Sequence, residues 1–292
     1  MDPFYSVSQV NDHLYALKSP SGEFVYLVTG AREGLLIDTC LGVGNLRAQV
    51  EELTSLSVTV AITHGHLDHA MGAPEWEDAW MSPLDADIYR SMCAVAERRG
   101  YLAANAGEEC AAQWGATFLP EAPDYAFRSL ADGQIFDLGG VTVEAVAFPG
   151  HTPGCTAMLL VEDRILITGD ACNVATFLFD ETASSVAEYR ATVERVAERL
   201  AGRYDRVFMQ HHVMDAVPSL LQEMLDVCDR VLAGTDDAIP MRMMGRDARL
   251  AMEASKTMQR VDGGCANLFY NPEHLRQDAT EAKGWSNEAN LT

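Results

Sequence analysis

Within Thr63-His64-Gly65-His66-Leu67-Asp68-His69, three imidazoles and a carboxylate fall in six consecutive residues, directly after the apolar run Val58 to Ile62. Imidazole nitrogens and carboxylate oxygens at this density are metal donors. In an extended chain side chains two apart share a face, so His64 and His66 converge on one ion. Asp68 and His69 are adjacent and diverge, which suits a second ion beside the first.

Further donors stand at the ends of other strand-like runs. His151 lies in the loop Phe148-Pro149-Gly150-His151-Thr152-Pro153-Gly154 after Val141 to Ala147, where Pro and Gly on both sides make a tight turn that presents the ring. Ile165-Leu166-Ile167 leads into Thr168-Gly169-Asp170, and Arg206 to Gln210 leads into His211-His212. The chain has 8 histidines, and all but His13 and His274 belong to these motifs. A satisfied core histidine accounts for one such residue, not for the set.

These motifs, in this order from about Leu35 to His212, resemble the metallo-β-lactamase-fold hydrolases. The resemblance implies an α/β (α+β) chain folded as a four-layered αβ/βα sandwich, with two central sheets, outer helices and a dinuclear metal centre at one edge. It implies His64, His66 and His151 around the first ion, Asp68, His69 and His211 around the second, and Asp170 bridging both. Asp68 and Asp170 become the candidate catalytic carboxylates, and His211 rather than His212 the late ligand, with Gln210 as the spacer after Val207-Phe208-Met209. Asp38, after Leu35-Leu36-Ile37, resembles the family's ligand-orienting aspartate, with a turn cap before Gly42 as the other reading. The expected cofactor is two Zn²⁺ per chain, because imidazole dominates the set, with iron or manganese left open.

The implied reaction is hydrolysis by a metal-bridging hydroxide of an ester, lactone or thioester in a small molecule. The true β-lactamases of the family lack the bridging aspartate, and the glyoxalase II-type thioesterases usually place a histidine where Gly65 stands. The oxygen-reducing diiron members carry glutamate at the position of His66 and a flavin domain besides. The motif form is therefore nearest to the lactonases. A phosphodiesterase of the same fold, or a catalytically silent metal-binding sensor or interaction module, is the alternative.

Positioning these residues requires a scaffold that the periodicity outlines. Leu14 to Leu17, Phe24 to Val28 and Leu35 to Ile37 alternate as an opening meander, and Leu46 to Leu53 forms a first helix. Ser185-x-x-Glu188 is a capping box ahead of a helical face formed by Tyr189, Val193, Val196 and Leu200. Pro218 opens a last helix whose stripe is Leu221, Leu225, Cys228 and Leu232, stopped at Gly234. The expected domain runs from 1 to 273. It contains a helical insertion at 83–118, with Ile88, Met92, Val95 and Ala96 on one face and Tyr101 and Trp114 beyond, either roofing the site or packed outside it. A C-terminal extension at 235–273 carries Met241, Met243, Met244, Met252 and Met258, and Ala266 to Tyr270 reads as a closing strand. A polar tail occupies 274–292.

Composition bounds the partners. The net charge of −22 repels phosphate backbones and anionic membranes, so no nucleic acid and no membrane partner is expected, only a small-molecule substrate. A homodimer stays open. No apolar stretch reaches the roughly 20 residues of a membrane helix, and Met1-Asp2-Pro3 lacks a signal-peptide pattern, which gives a cytoplasmic expectation. The 7 cysteines lack paired spacing and are expected as reduced thiols, Cys155 and Cys172 being small packing residues.

Overall fold

The structure, a computed structural model, describes residues 3–211 and 213–276. Its first sheet runs β1 (Ser6–Gln9), β2 (Leu14–Lys18), β3 (Phe24–Thr29), β4 (Glu33–Ile37), β5 (Ser57–Ala61), β6 (Ala79–Met81) and β7 (Arg128–Ser129) in spatial order. The first four pair antiparallel as the expected meander, and β4 to β7 pair parallel. Helix α1 (Leu46–Leu53) supplies the crossover between β4 and β5, and α2 (Leu67–Ala70) follows β5.

The 83–118 stretch forms α3 (Ala86–Ser91), α4 (Val95–Ala106) and α5 (Glu108–Gln113). One continuous face through Ile88, Met92, Val95 and Ala96 is not what forms, because α3 ends at Ser91, with Met92 as its cap, and α4 begins only at Val95. The second sheet contains β8 (Ile135–Asp137), β9 (Thr142–Ala147), β10 (Thr156–Leu160) and β11 (Ile165–Ile167). After β12 (Thr176–Leu178), which lies elsewhere, it gains β13 (Arg206–Phe208) and β14 (Asp215–Ala216). Helices α6 (Val186–Leu200) and α7 (Leu220–Ala233) cover its outer face.

Period-two alternation builds the layers. From β3, Phe24, Tyr26 and Val28 face Met158, Leu160, Ile167 and Phe208 of the second sheet, while Val25 and Leu27 face Leu46, Val50 and Leu102 of the helices. From β10, Met158 and Leu160 enter the inter-sheet core, while Ala157 and Leu159 meet Tyr189, Val193, Leu221 and Leu225. A strand buried on both faces needs apolar residues at every position, and β10 is Thr-Ala-Met-Leu-Leu, wholly buried. The result is helix, sheet, sheet, helix, as expected.

A third sheet was not anticipated. It orders β12, β17 (Leu268–Tyr270), β16 (Arg246–Leu250) and β15 (Ile239–Met243), the last two joined as a hairpin through Met244 and Gly245 at φ 48° and 79°. Two consecutive positive φ values match the tight hairpin turns that follow the twist of their strands. Met241, Met243 and Met258 pack against the core around α6 and α7, Met252 is buried in it, and Met244 is exposed. Ala266 to Tyr270 does close the fold, as β17 against β12 and β16. The expected tail lies outside the described residues from 277 onward. Among the described residues no helix is long and apolar enough to cross a membrane.

Candidate metal centre

Loops at the carboxyl ends of β5, β9, β11 and β13 bring the expected residues to one edge of the two sheets. His64 and His66 stand in the loop after β5, Asp68 and His69 on α2, His151 after β9, Asp170 after β11 and His211 after β13. Their donor atoms form adjacent groups: His64 with His66 and His151, His64 with His69 and Asp170, and Asp68 with His69 and His211. His212 lies outside the described residues, and His13 and His274 lie outside these groups.

Three imidazole nitrogens close the first group, His66 Nδ1 lying 3.1 Å from His64 Nε2 and 3.0 Å from His151 Nε2. In the second, His69 Nε2 and His211 Nε2 are 3.1 Å apart, and Asp68 Oδ2 is 3.4 Å from His211 Nε2. Asp170 Oδ2 lies between the groups, 3.9 Å from His151 Nε2 and 3.3 Å from His211 Nε2. Asp68 and His69 converge on one group instead of diverging. The chain has become helical there, and it turns both toward His211.

The outward nitrogens decide where the protons sit. Thr63 Oγ1 gives its hydrogen to Asp38 Oδ2 at 2.8 Å, so it accepts from His64 Nδ1 at 3.2 Å. His69 Nδ1 donates to Asp38 Oδ2 at 2.8 Å, and His151 Nδ1 donates to the Phe177 carbonyl at 2.8 Å. A neutral imidazole protonated outside carries its lone pair inside, so His64 and His151 aim lone pairs at the first group. Burial above all, then the neighbouring imidazoles, pushes His64 down and His66 down to about 3, which keeps these rings uncharged.

The second group has the opposite need. Burial opposes charge on His69 and His211, yet Asp68, Asp38 and Asp170 raise the first and Asp170 and Asp68 lift the second to about 9. Burial likewise opposes charge on Asp170, but His211 and His69 hold it well below the usual carboxylate range. Two nearly buried carboxylates beside imidazoles require positive charge, which protons or a cation supply. Lone pairs converging in the first group and two carboxylates set against His69 and His211 in the second fit a pair of divalent cations.

Asp38 is the organiser of this edge. Its backbone is left-handed at φ 66°, a conformation a non-glycine residue holds when its surroundings impose it. Its carboxylate accepts from Thr63 N at 2.7 Å, Thr63 Oγ1, His69 Nδ1, and Gln210 Nε2 at 3.1 Å. Of the two readings of Asp38, orientation of a ligand is the one the geometry favours. Gln210, the expected spacer, thus has a second task.

Three residues escaped the sequence reading. Asp85, just ahead of α3, accepts from Gly65 N, Thr152 Oγ1 and Gly154 N, tying the two histidine loops together. Asn173 donates to Asp170 Oδ1 at 3.3 Å. Glu23, buried at the β2 to β3 turn, meets Tyr101. Only Asn173, close after Asp170, carried any local signal. Trp114, named with Tyr101 in the helical insertion, packs edge-on to Phe4 at 5.2 Å. Cys155 and Cys172 are buried, and burial raises both thiols, as suits packing residues.

A family model described as the metallo-beta-lactamase superfamily matches residues 19–211. The chain is similar to the atrochrysone carboxyl ACP thioesterase of Aspergillus fumigatus, with 32% identity over 157 residues, 51% of this chain and 39% of that protein. It is also similar to lactamase-like protein nscB of the same fungus, with 28% identity over 206 residues, 69% of this chain and 52% of that protein. The chain thus spans about two fifths to one half of the length of these curated relatives. Among solved structures, the sec-alkylsulfatase Pisa1 from Pseudomonas sp. matches with a TM-score of 0.59 and 16% identity, over 79% of this chain and 42% of that one. A metallo beta lactamase from Erythrobacter litoralis matches with a TM-score of 0.56 and 16% identity, over 79% of this chain and 98% of that one. At such identity the structural likeness is one of fold.

Proposed function

The chain belongs to the metallo-beta-lactamase superfamily, and on that premise we propose that it is a dinuclear metal-dependent hydrolase of a small-molecule acyl bond, a thioester foremost and an ester or lactone next. The observation that carries this reading is Asp170 Oδ2 standing between two groups of converging donors. In it His64, His66 and His151 hold one cation, Asp68, His69 and His211 the other, and Asp170 is shared. The imidazole-rich donor set suits zinc. The thioester preference follows the printed name of the Aspergillus thioesterase, whose similar segment covers half of this chain.

A bound divalent pair supplies Lewis acidity, making water nucleophilic near neutral pH and polarising the acyl carbonyl. The chain's own residues prepare that chemistry. Asp38 fixes the ring of His69, Phe177 O that of His151 and Thr63 that of His64, so donor directions are set before any substrate arrives. Asn173 holds the Asp170 oxygen that faces away from the imidazoles.

One cleft of the molecule measures about 760 Å³. Its walls include Val174, shortly after Asp170, and Val213, shortly after His211, together with Met258 and Lys256. Mixed apolar and cationic walls suit an acyl group bearing a polar or anionic end, and apolar contacts there bind ground and transition states alike. The test is turnover by zinc- and manganese-reconstituted protein across thioesters, esters, lactones and a phosphodiester of matched size. Preference for the thioesters sustains the reading. Preference for the phosphodiester, or two bound metals with no turnover, replaces it.

A further inference from the structure

Glu23 is a buried carboxylate, 1% exposed, with no ion-pair partner among the described residues. Burying an unpaired carboxylate is costly, and hydroxyl groups are what compensate it here. Its Oε2 accepts from Ser21 Oγ at 2.6 Å and from Ser19 Oγ, and Ser19 Oγ in turn accepts the backbone N–H groups of Gly22 at 3.1 Å and Glu23 at 3.2 Å. The tight turn between β2 and β3 therefore holds the carboxylate still. Its Oε1 is 2.9 Å from Tyr101 Oη, and the same phenol oxygen is 2.9 Å from Asp68 Oδ2.

His64, His69 and Asp170 each have a partner on a loop of the sheet edge, and His151 has one in β12. Asp68 differs, because its one hydroxyl donor among the described residues arrives from α4. A phenol has a single proton, and two carboxylates at equal distance compete for it. The oxygen of Asp68 that receives it is also the one facing His211. How firmly that oxygen is held, and how much negative charge it presents, both depend on where Glu23 keeps the phenol.

We propose that Tyr101 and Glu23 are positioning residues for Asp68, Glu23 acting through Tyr101 to orient the Asp68 carboxylate toward the second cation. This rests on the reading of Asp68 as a ligand of that cation. Loss of such an outer hydrogen bond to a metal ligand typically weakens metal affinity about 10-fold or more.

The experiment uses full-length protein titrated with Co²⁺ against a competing chelator, with visible spectra recorded at each step. Wild-type protein binding two Co²⁺ sustains the ligand reading. One Co²⁺ or none overturns it, and the inference with it. Y101F is expected to bind the second Co²⁺ about 10-fold more weakly, to shift its visible bands and to leave the first Co²⁺ unchanged. E23Q keeps the shape of the glutamate but offers an amide hydrogen to the phenol oxygen, and it too is expected to move the second-site bands. E23Q/Y101F is expected to lose no more affinity than Y101F alone, because Glu23 has no other route to Asp68. Y101F with wild-type affinity and spectrum, or losses that add in the double variant, would overturn the proposal. Should Y101F not fold, wild-type bands in E23Q would overturn it and shifted bands with both Co²⁺ retained would sustain it. These spectra do not depend on turnover, so failure of the hydrolase reading is seen separately.

Discussion

Asp85 Oδ2 accepts the Gly65 N–H at 2.9 Å, and a Cβ at position 65 would stand 2.7 Å from the Asp85 backbone oxygen. The same carboxylate accepts from Thr152 Oγ1 and Gly154 N, both at 2.6 Å. One side chain thereby sets the spacing between the loop of His64 and His66 and the loop of His151. Gly65 is a packing requirement, and a histidine there, as in the glyoxalase II pattern, would need a different floor.

Asp85→Asn leaves one acceptor oxygen and turns an amide donor toward N–H and O–H groups. Losing one or two charged hydrogen bonds in a buried place costs about 2–4 kcal/mol, read as a lower urea midpoint. Gly65→Ala should fall in the same direction and also bind less of the first metal. A change below about 0.5 kcal/mol, the range of surface substitutions, would show that the floor yields.

Asp170→Ala should abolish turnover and reduce the bound metal from two ions toward one while the far-ultraviolet spectrum stays native. Full metal content with wild-type activity would remove Asp170 from the shared role. Between the late histidines, His211→Ala is expected to lose the second metal and His212→Ala to keep it, by elemental analysis. The reverse result would move the ligand one residue along.

Metal removal should destabilise without unfolding. The sheets and their apolar cores are independent of the donor groups, whereas cations bound only by the native state add stability by mass action, about 2.7 kcal/mol at a hundredfold excess over Kd. Exhaustive chelation is expected to lower Tm and added zinc to restore it. An unchanged Tm would mean that no ion is bound tightly.

Glu144, on β9, is held below the usual carboxylate range first by Arg203 and then by Arg199, against the effect of burial. Its folded value lies under its unfolded one, so its contribution is complete above the unfolded pKa of about 4.3 and is lost as pH falls through the folded value. Glu144→Gln should cost about 1 kcal/mol at pH 7, allowing for solvent screening of the arginines. Wild type and variant should converge on acidification below pH about 4. A difference that persists in acid would mean that packing, not charge, is what the glutamate supplies.

Local patterns were legible and distant pairings were not. The capping box of α6 forms between Ser185 and Glu188, and Gly234 ends α7 at φ 67°, because both are set by neighbours in sequence. The α7 helix begins at Leu220 with Ser219 as its cap, two residues after Pro218. The donor residues of the centre were visible because strand ends and turn residues mark them. Asp85 and Glu23 were invisible, since each acquires its meaning from partners brought near by the fold, and Tyr101 stood out in the insertion without its bond to Asp68 being legible. The hairpin of β15 and β16 did leave a trace in the alternation of Ile239, Met241 and Met243 before Gly245, which the methionine content masked.

The support of His151 passes through Phe177, in β12, and among the described residues β12 pairs only with β17, Phe177 lying opposite Phe269. Synthesis runs from the amino end, so a nascent chain that has emerged through His211 carries every proposed ligand but not the strand that steadies the carbonyl behind His151. Vectorial growth thus separates having the donors from having them aimed. On the proposed ligand set, the aim of the His151 ring is therefore completed when β17 has been made and paired with β12.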